Sequence, residues 1–384
     1  MQVLKGIQAL FRKKGEHLFW RRLPASQVYG AYQETPIEKD QAYLLLRLKE
    51  MYLRNTRKLW RKYHPMLHSY LSYGGGEEVA VTGPGQMKEL GETGLDRVVS
   101  LNHRLAGPIP YRGDDVTMLV GLYSVPGQDA TKALVDTVGK LAALGGIAAG
   151  PALEVTNVVK AGVESILGFD ETSLSLGVED TFYESAAGTT GTGNQGNPLR
   201  AGLYIGVSAP SDEVDLQRLW LKDGQLFKGV DPIQSKPYED HDYMILEVES
   251  RPSRDDWPGL PAIADFDERF ASVMRDSTID VQGKRERLVK LWPEFVQVLS
   301  ESPQLITRDR EQIAHSVSTD LNKRLDAMAN KNPFVEVRSW GESKLVSKSP
   351  EDFDFLDVPD YLDSSDGAQM SAAREALSGN PFGS

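Results

Sequence analysis

The chain has no cysteine. That excludes disulfides, thiolate nucleophiles, zinc fingers and iron–sulfur clusters together, and it fits a reducing cytoplasm as the expected location. The chain also lacks a long hydrophobic run. The longest uncharged, mostly apolar stretch is Leu141–Leu153, LAALGGIAAGPAL, 13 residues, where a spanning helix needs roughly 18–20. The opening residues MQVLKGIQALFRKKGEHLFW lack a signal-peptide pattern. Lys5 breaks the apolar stretch, Arg12-Lys13-Lys14 ends it, and no small-residue cleavage site follows. No internal repeat is present.

What the chain does have is a split charge. Residues 1–70 hold seven Lys and seven Arg against the five acids Glu16, Glu34, Glu38, Asp40 and Glu50, a charge of +9. The whole chain carries −12, which leaves −21 on residues 71–384. Such a field steers association with partners without naming a reaction. With 384 residues, of which 40% are apolar and 26% charged, the chain has the make-up of a globular protein of two or three domains.

Residues 1–72 read as a basic helical arm. Thr35-Pro36 fits an N-cap and first-turn pair, with Glu38 and Asp40 after it. Leu45, Leu48, Tyr52, Leu59 and Tyr63 recur near helical spacing. Residues 73–97 read as a Gly-rich linker. Residues 98–260 read as a β-rich domain. Its strand runs are Asp115–Val125, Leu199–Val207 and Tyr243–Val248, and Asp223-Gly224 marks a hairpin between Leu216–Leu221 and Gln225–Phe227. Turns rather than regular helices separate these runs, so the expected sheet is antiparallel. Residues 130–167 interrupt it as a helical hairpin, with Lys132, Asp136 and Lys140 on one stripe and Leu134, Val138 and Leu141 on another. Its expected use is to cover one face of the sheet, and the alternative is insertion into a bilayer.

Residues 261–332 read as a C-terminal helical module. Leu288, Leu291, Trp292, Phe295 and Leu299 line one face, Pro293 starts or kinks a helix, and Thr307 caps another that carries Ile313, Val317, Leu321, Leu325 and Met328. Residues 347–384 read as an acidic disordered tail in which Phe353, Phe355 and Tyr361 alternate with Asp and Glu. The expected fold class is therefore α+β: an antiparallel β-sandwich-like domain with an inserted helical hairpin, flanked by N- and C-terminal helical segments.

Chemical motifs are weak. Gly191-Thr-Gly193-Asn-Gln-Gly196 matches a dinucleotide pattern, and Asp215 lies 19 residues beyond. Polar sequence precedes it and a strand follows, the reverse of what a pyrophosphate site needs. Gly206-Val-Ser208-Ala-Pro210 has Pro where a nucleophile elbow needs Gly. His241 is the partner Ser208 would take in a hydrolase. The acid pairs Asp114-Asp115, Asp255-Asp256 and Asp265/Asp267 carry oxygen ligands for calcium only if loops bring them together. His64 and His68 have metal-ligand spacing on a helix, but Pro65 lies between them, and a surface pair is the expectation. No catalytic residue, metal or cofactor is assigned.

The arm and tail are the stronger signal. The candidate interaction residues are Arg12, Lys13, Lys14, Trp20, Arg21, Arg22, Arg57, Lys58, Trp60 and Arg61 in the arm, and Phe353, Phe355 and Tyr361 in the tail. The expected function is a non-enzymatic structural or adaptor subunit that binds other proteins or assembles with itself through arm and tail, of the kind found in bacterial multi-protein, defence-type systems. The alternatives are a membrane-acting effector using the arm and the 130–167 hairpin on an anionic membrane surface, and a hydrolase with an unmarked site. Nucleic acid is a poor partner, because the acidic remainder of the chain repels phosphate.

Overall fold

The computed structural model describes residues 18–30, 34–58, 60–74, 76–82, 98–126, 172–183 and 197–330. The chain divides into two compact units, Met1–Pro252 and Ser253–Ser384. The helical hairpin read at 130–167, the glycine motif at 191–196 and the tail at 347–384 lie outside the described residues.

The first unit is built on two antiparallel sheets that share a core. One has the order β1-β10-β14-β2-β6, formed by Phe19–Leu23, Gly202–Val207, Tyr243–Arg251, Tyr43–Tyr52 and Val98–Pro110. The other has the order β3-β4-β7-β8-β9, formed by Arg57–Lys58, Arg61–Tyr73, Val116–Pro126, Ser173–Tyr183 and Asn197–Pro198, with β5 (Gly76–Thr82) also paired to β4. The short β8–β9 pair is parallel. Leu44, Leu46 and Leu48 of β2, Leu67 and Leu71 of β4, Val120 and Leu122 of β7, and Leu176 and Val178 of β8 belong to one buried cluster. This is the face-to-face packing of a sandwich.

The arm read as helical over residues 1–72 carries β1, β2, β3 and β4 instead, joined by turns, with no α-helix among its described residues. β2, YLLLRLKEMY, lies between two neighbours and is buried on both faces. Apolar residues then fall at every spacing, three and four included, and imitate a helical stripe. Pro36 forms an isolated bridge to Arg200 rather than opening a helix. Part of the expected linker, Gly76–Thr82, is also strand, in register with β4 from Leu67↔Thr82 to Tyr73↔Gly76.

A third sheet is made of β11 (Leu219–Lys222), β12 (Gln225–Lys228) and β13 (Lys236–Pro237). Asp223 and Gly224 both adopt positive φ, 51° and 76°, and close the expected β11–β12 hairpin. Leu219, Leu221 and Leu226 of this sheet cluster with Phe19, Tyr52, Leu203, Ile205 and Tyr243.

The second unit holds three described helices: α1 (Pro261–Arg275), α2 (Val281–Glu301) and α3 (Thr307–Ala329). Phe295 of α2 is fully buried and meets Phe266, Phe270 and Trp292 at ring-centroid distances of 5.5, 5.4 and 5.4 Å. Pro293 lies inside α2 and does not start it. Asp280 caps α2 by accepting from the Gly283 amide at 2.8 Å. Thr307 is the first residue of α3 rather than its cap. Lys284 of α2 is buried, and its Nζ donates to the carbonyls of Val273, Met274 and Asp276 at 3.3, 2.5 and 2.6 Å. A cation thereby satisfies the carbonyl end of α1.

Candidate interaction site

Among the interaction residues read from the sequence, Arg57, Lys58, Trp60 and Arg61 come together on one hairpin. β3 and β4 pair with the register Arg57↔Lys62 and Lys58↔Arg61, and Trp60 lies in the connection between them. The Tyr63 amide extends this pairing by donating to the Thr56 carbonyl at 2.7 Å. Trp60 is 100% exposed. Both cross-strand pairs set cation opposite cation, an arrangement that costs a strand pair stability.

The base of the hairpin is firmly held. Leu53 and Thr56 are buried. Asp242 accepts from the Arg54 amide at 2.6 Å and from the Ser175 hydroxyl. The Arg54 guanidinium donates to the Asp240 carbonyl at 2.7 Å, and the Asp240 carboxylate pairs with Lys228 at 2.6 Å. The hairpin thus projects from an anchored platform rather than from a free loop.

Trp20, Arg21 and Arg22 are engaged elsewhere in the first unit. Trp20 is half-buried; its indole N–H donates to Asp180 at 2.8 Å and its ring stacks on Tyr204 with centroids 5.5 Å apart. Arg22 pairs with Glu34 at 3.1 Å, and Arg21 donates to the Trp20 carbonyl at 2.9 Å. Both lie on β1, an edge strand, where charge discourages unwanted strand pairing. Arg12, Lys13, Lys14, Phe353, Phe355 and Tyr361 lie outside the described residues.

The weaker motifs are absorbed into local structure. The Ser208 hydroxyl donates to the Ser175 carbonyl at 2.9 Å, whereas His241 Nδ1 bonds the Tyr238 hydroxyl at 2.9 Å and its Nε2 lies 3.6 Å from Glu213. Ser208 and His241 therefore serve different partners. Asp215 caps a 3-10 turn, Leu216–Arg218, by accepting from the Gln217 amide. Asp265 and Asp267 lie on α1 rather than in a loop. Among the described residues, no three His, Asp or Glu side chains converge as metal ligands, and no helix is long and apolar enough to cross a membrane. His64 and His68 are not a surface pair: both are buried on β4, and burial pulls the His68 pKa down to about 4.

Two features escaped the sequence reading. The first is Glu50, 1% exposed. Register shifts in β2 fall beside it, between Leu48 and Glu50 against β6 and at Ile245/Leu246 against β14. They invert the in–out alternation: Leu44, Leu46 and Leu48 face the sandwich core before the shift, Met51 and Leu53 after it. Glu50 consequently accepts the Leu226 amide of β12 at 2.8 Å. Burial drives its pKa up to about 7, partly offset by the bonds from Leu226 and Tyr243. Its only sequence signal is a lone acid in an apolar strand. The second is the β12–β13 loop, which displays Val230 and Ile233 at 78% and 81% exposure. Asp231 holds this loop by accepting from the Ile233 and Gln234 amides at 2.8 and 2.7 Å.

No protein-family model, curated protein or solved structure matches the chain.

Proposed function

We propose that this chain is a non-enzymatic structural or adaptor subunit that acts by binding other proteins, with the 57–62 hairpin as its contact element. The supporting observation is Trp60: a fully exposed indole beside a hairpin whose register pairs are all basic residues. Tryptophan and arginine are the side chains most enriched at the energetic centres of protein interfaces. Water solvates an isolated exposed indole poorly, and removing it from water is the hydrophobic gain that binding would realise. The anchored base at Arg54, Asp240 and Asp242 limits the ordering cost that a mobile loop would incur.

The test is photo-crosslinking in cells, with a crosslinkable phenylalanine analogue in place of Trp60 in the full chain. The expected result is a small set of discrete protein adducts, lost when Arg57→Glu and Lys58→Glu are added. Recovery of lipid or nucleic acid adducts alone, or adducts indifferent to those charge reversals, would refute the reading.

A further inference from the structure

We propose that the hairpin at 57–62 docks on the acidic, aromatic segment 351–366 of a second copy of this chain, joining copies head to tail. The inference rests on the hairpin being a protein-binding element and names its partner. Charge is the first argument. Residues 351–366 read EDFDFLDVPDYLDSSD, seven acids and no basic residue. The hairpin residues 57–62 read RKLWRK, four cations and no acid. The hairpin register gathers these four basic residues on two adjacent pairs, and an acidic segment of opposite charge complements them through charge-assisted hydrogen bonds.

Strand geometry is the second argument, and it favours a peptide over a membrane or a nucleic acid. Among the described residues β3 is the last strand on its side of the sheet order, and an edge strand is a template for an added strand. Within the acidic segment, Asp352-Phe353-Asp354-Phe355 alternates acid and aromatic with the period of a strand. An extended peptide of that pattern sends both carboxylates to one face and both phenyl rings to the other. Its carboxylate face meets one of the two basic pairs, and the exposed indole of Trp60 beside them offers an apolar partner to the rings. A contact between unlike patches on two copies is heterologous, so it propagates into rings or filaments instead of stopping at a symmetric pair.

The test uses the full chain at increasing concentration. Light scattering should show a mass above that of one copy at low salt, and return to one copy at about 0.5 M salt, where screening is strong. Asp352→Asn with Asp354→Asn, and separately Trp60→Ala, should each weaken association by about tenfold. Carbodiimide coupling of a mixture of isotopically light and heavy copies should join Lys58 or Lys62 of one copy to carboxylates at 351–366 of the other. A single-copy mass at every concentration, association unchanged by the variants, or couplings confined to one copy would each overturn the proposal. Trp60-dependent binding to anionic phosphatidylserine vesicles without self-association would also overturn it and move the hairpin to a membrane. If copies stay single while Trp60 still crosslinks to another protein, the adaptor reading stands and only the self-docking fails.

Discussion

Replacing Glu50 by Gln should tilt the pH dependence of the first unit's stability, and burial sets the size of the tilt. Glu50 is an acid whose pKa is raised from 4.5 to about 7 in the folded state. Between those values the folded state holds the extra proton, so the stability Glu50 allows is complete below pH 4.5 and is lost as pH rises to about 7. His68 is a base whose pKa is lowered from 6.5 to about 4. There the unfolded state holds the extra proton, so stability is complete above pH 6.5 and is lost as pH falls to about 4. Each group contributes a slope of about 1.4 kcal/mol per pH unit, with opposite sign. From pH 4.5 to 6.5 the two slopes cancel.

Glu50→Gln keeps an oxygen to accept the Leu226 amide and removes one slope. Relative to the native chain, the variant should therefore lose about 3 kcal/mol on acidification across that window. His68→Gln should show the mirror image, losing stability as pH rises, and the double variant should restore the native profile. Hydrogen exchange at amides of β2, β4 and β12 reports the first unit alone. Background titration common to all variants drops out of the differences. If the difference between Glu50→Gln and the native chain stays within about 0.5 kcal/mol from pH 4.5 to 6.5, Glu50 does not hold a proton in the folded state and its burial is misjudged.

Phe295→Ala should cost about 3–5 kcal/mol, since it empties the ring contacts with Phe266, Phe270 and Trp292; urea unfolding followed at Trp292 checks it. Lys284→Met leaves the carbonyls of Val273, Met274 and Asp276 without their donor and should cost about 1–3 kcal/mol, read as faster exchange at the end of α1. Gly107→Ala should destabilise the first unit by more than about 1 kcal/mol, because Gly107 sits at φ 95° and an added Cβ would lie 2.4 Å from the Leu44 carbonyl oxygen; a Tm unchanged from the native chain would contradict the close approach.

The strands bounded by clear punctuation were legible. Asp223-Gly224 demanded positive φ at two successive positions, and the structure places a hairpin there. Tyr243–Val248 and Asp115–Val125 alternate or run apolar between turn residues, and they became β14 and β7. The helical face Leu288, Trp292, Phe295 and Leu299 is buried as its spacing required. β2 was misread because a strand covered on both faces loses the two-residue period that identifies strands. Its partners, β14 and β6, lie some 200 and 55 residues away in register pairs such as Arg47↔Glu247 and Arg47↔Arg104.

The sequence by itself determined the absence of thiol chemistry, the α+β class and the clustering of cations around Trp60, since these depend on residue identity and local spacing. Tertiary structure decided the rest. Pairing of Arg57 with Lys62 and Lys58 with Arg61 turned a basic stretch into a projecting hairpin. The enclosure of Trp20 by Asp180 and Tyr204 gave another aromatic of the same arm an internal role. The register shift beside Glu50 turned an ordinary acid into a buried one. Pairing, enclosure and register each arise from contacts between residues far apart in the chain, and no local pattern records which distant strand will supply them.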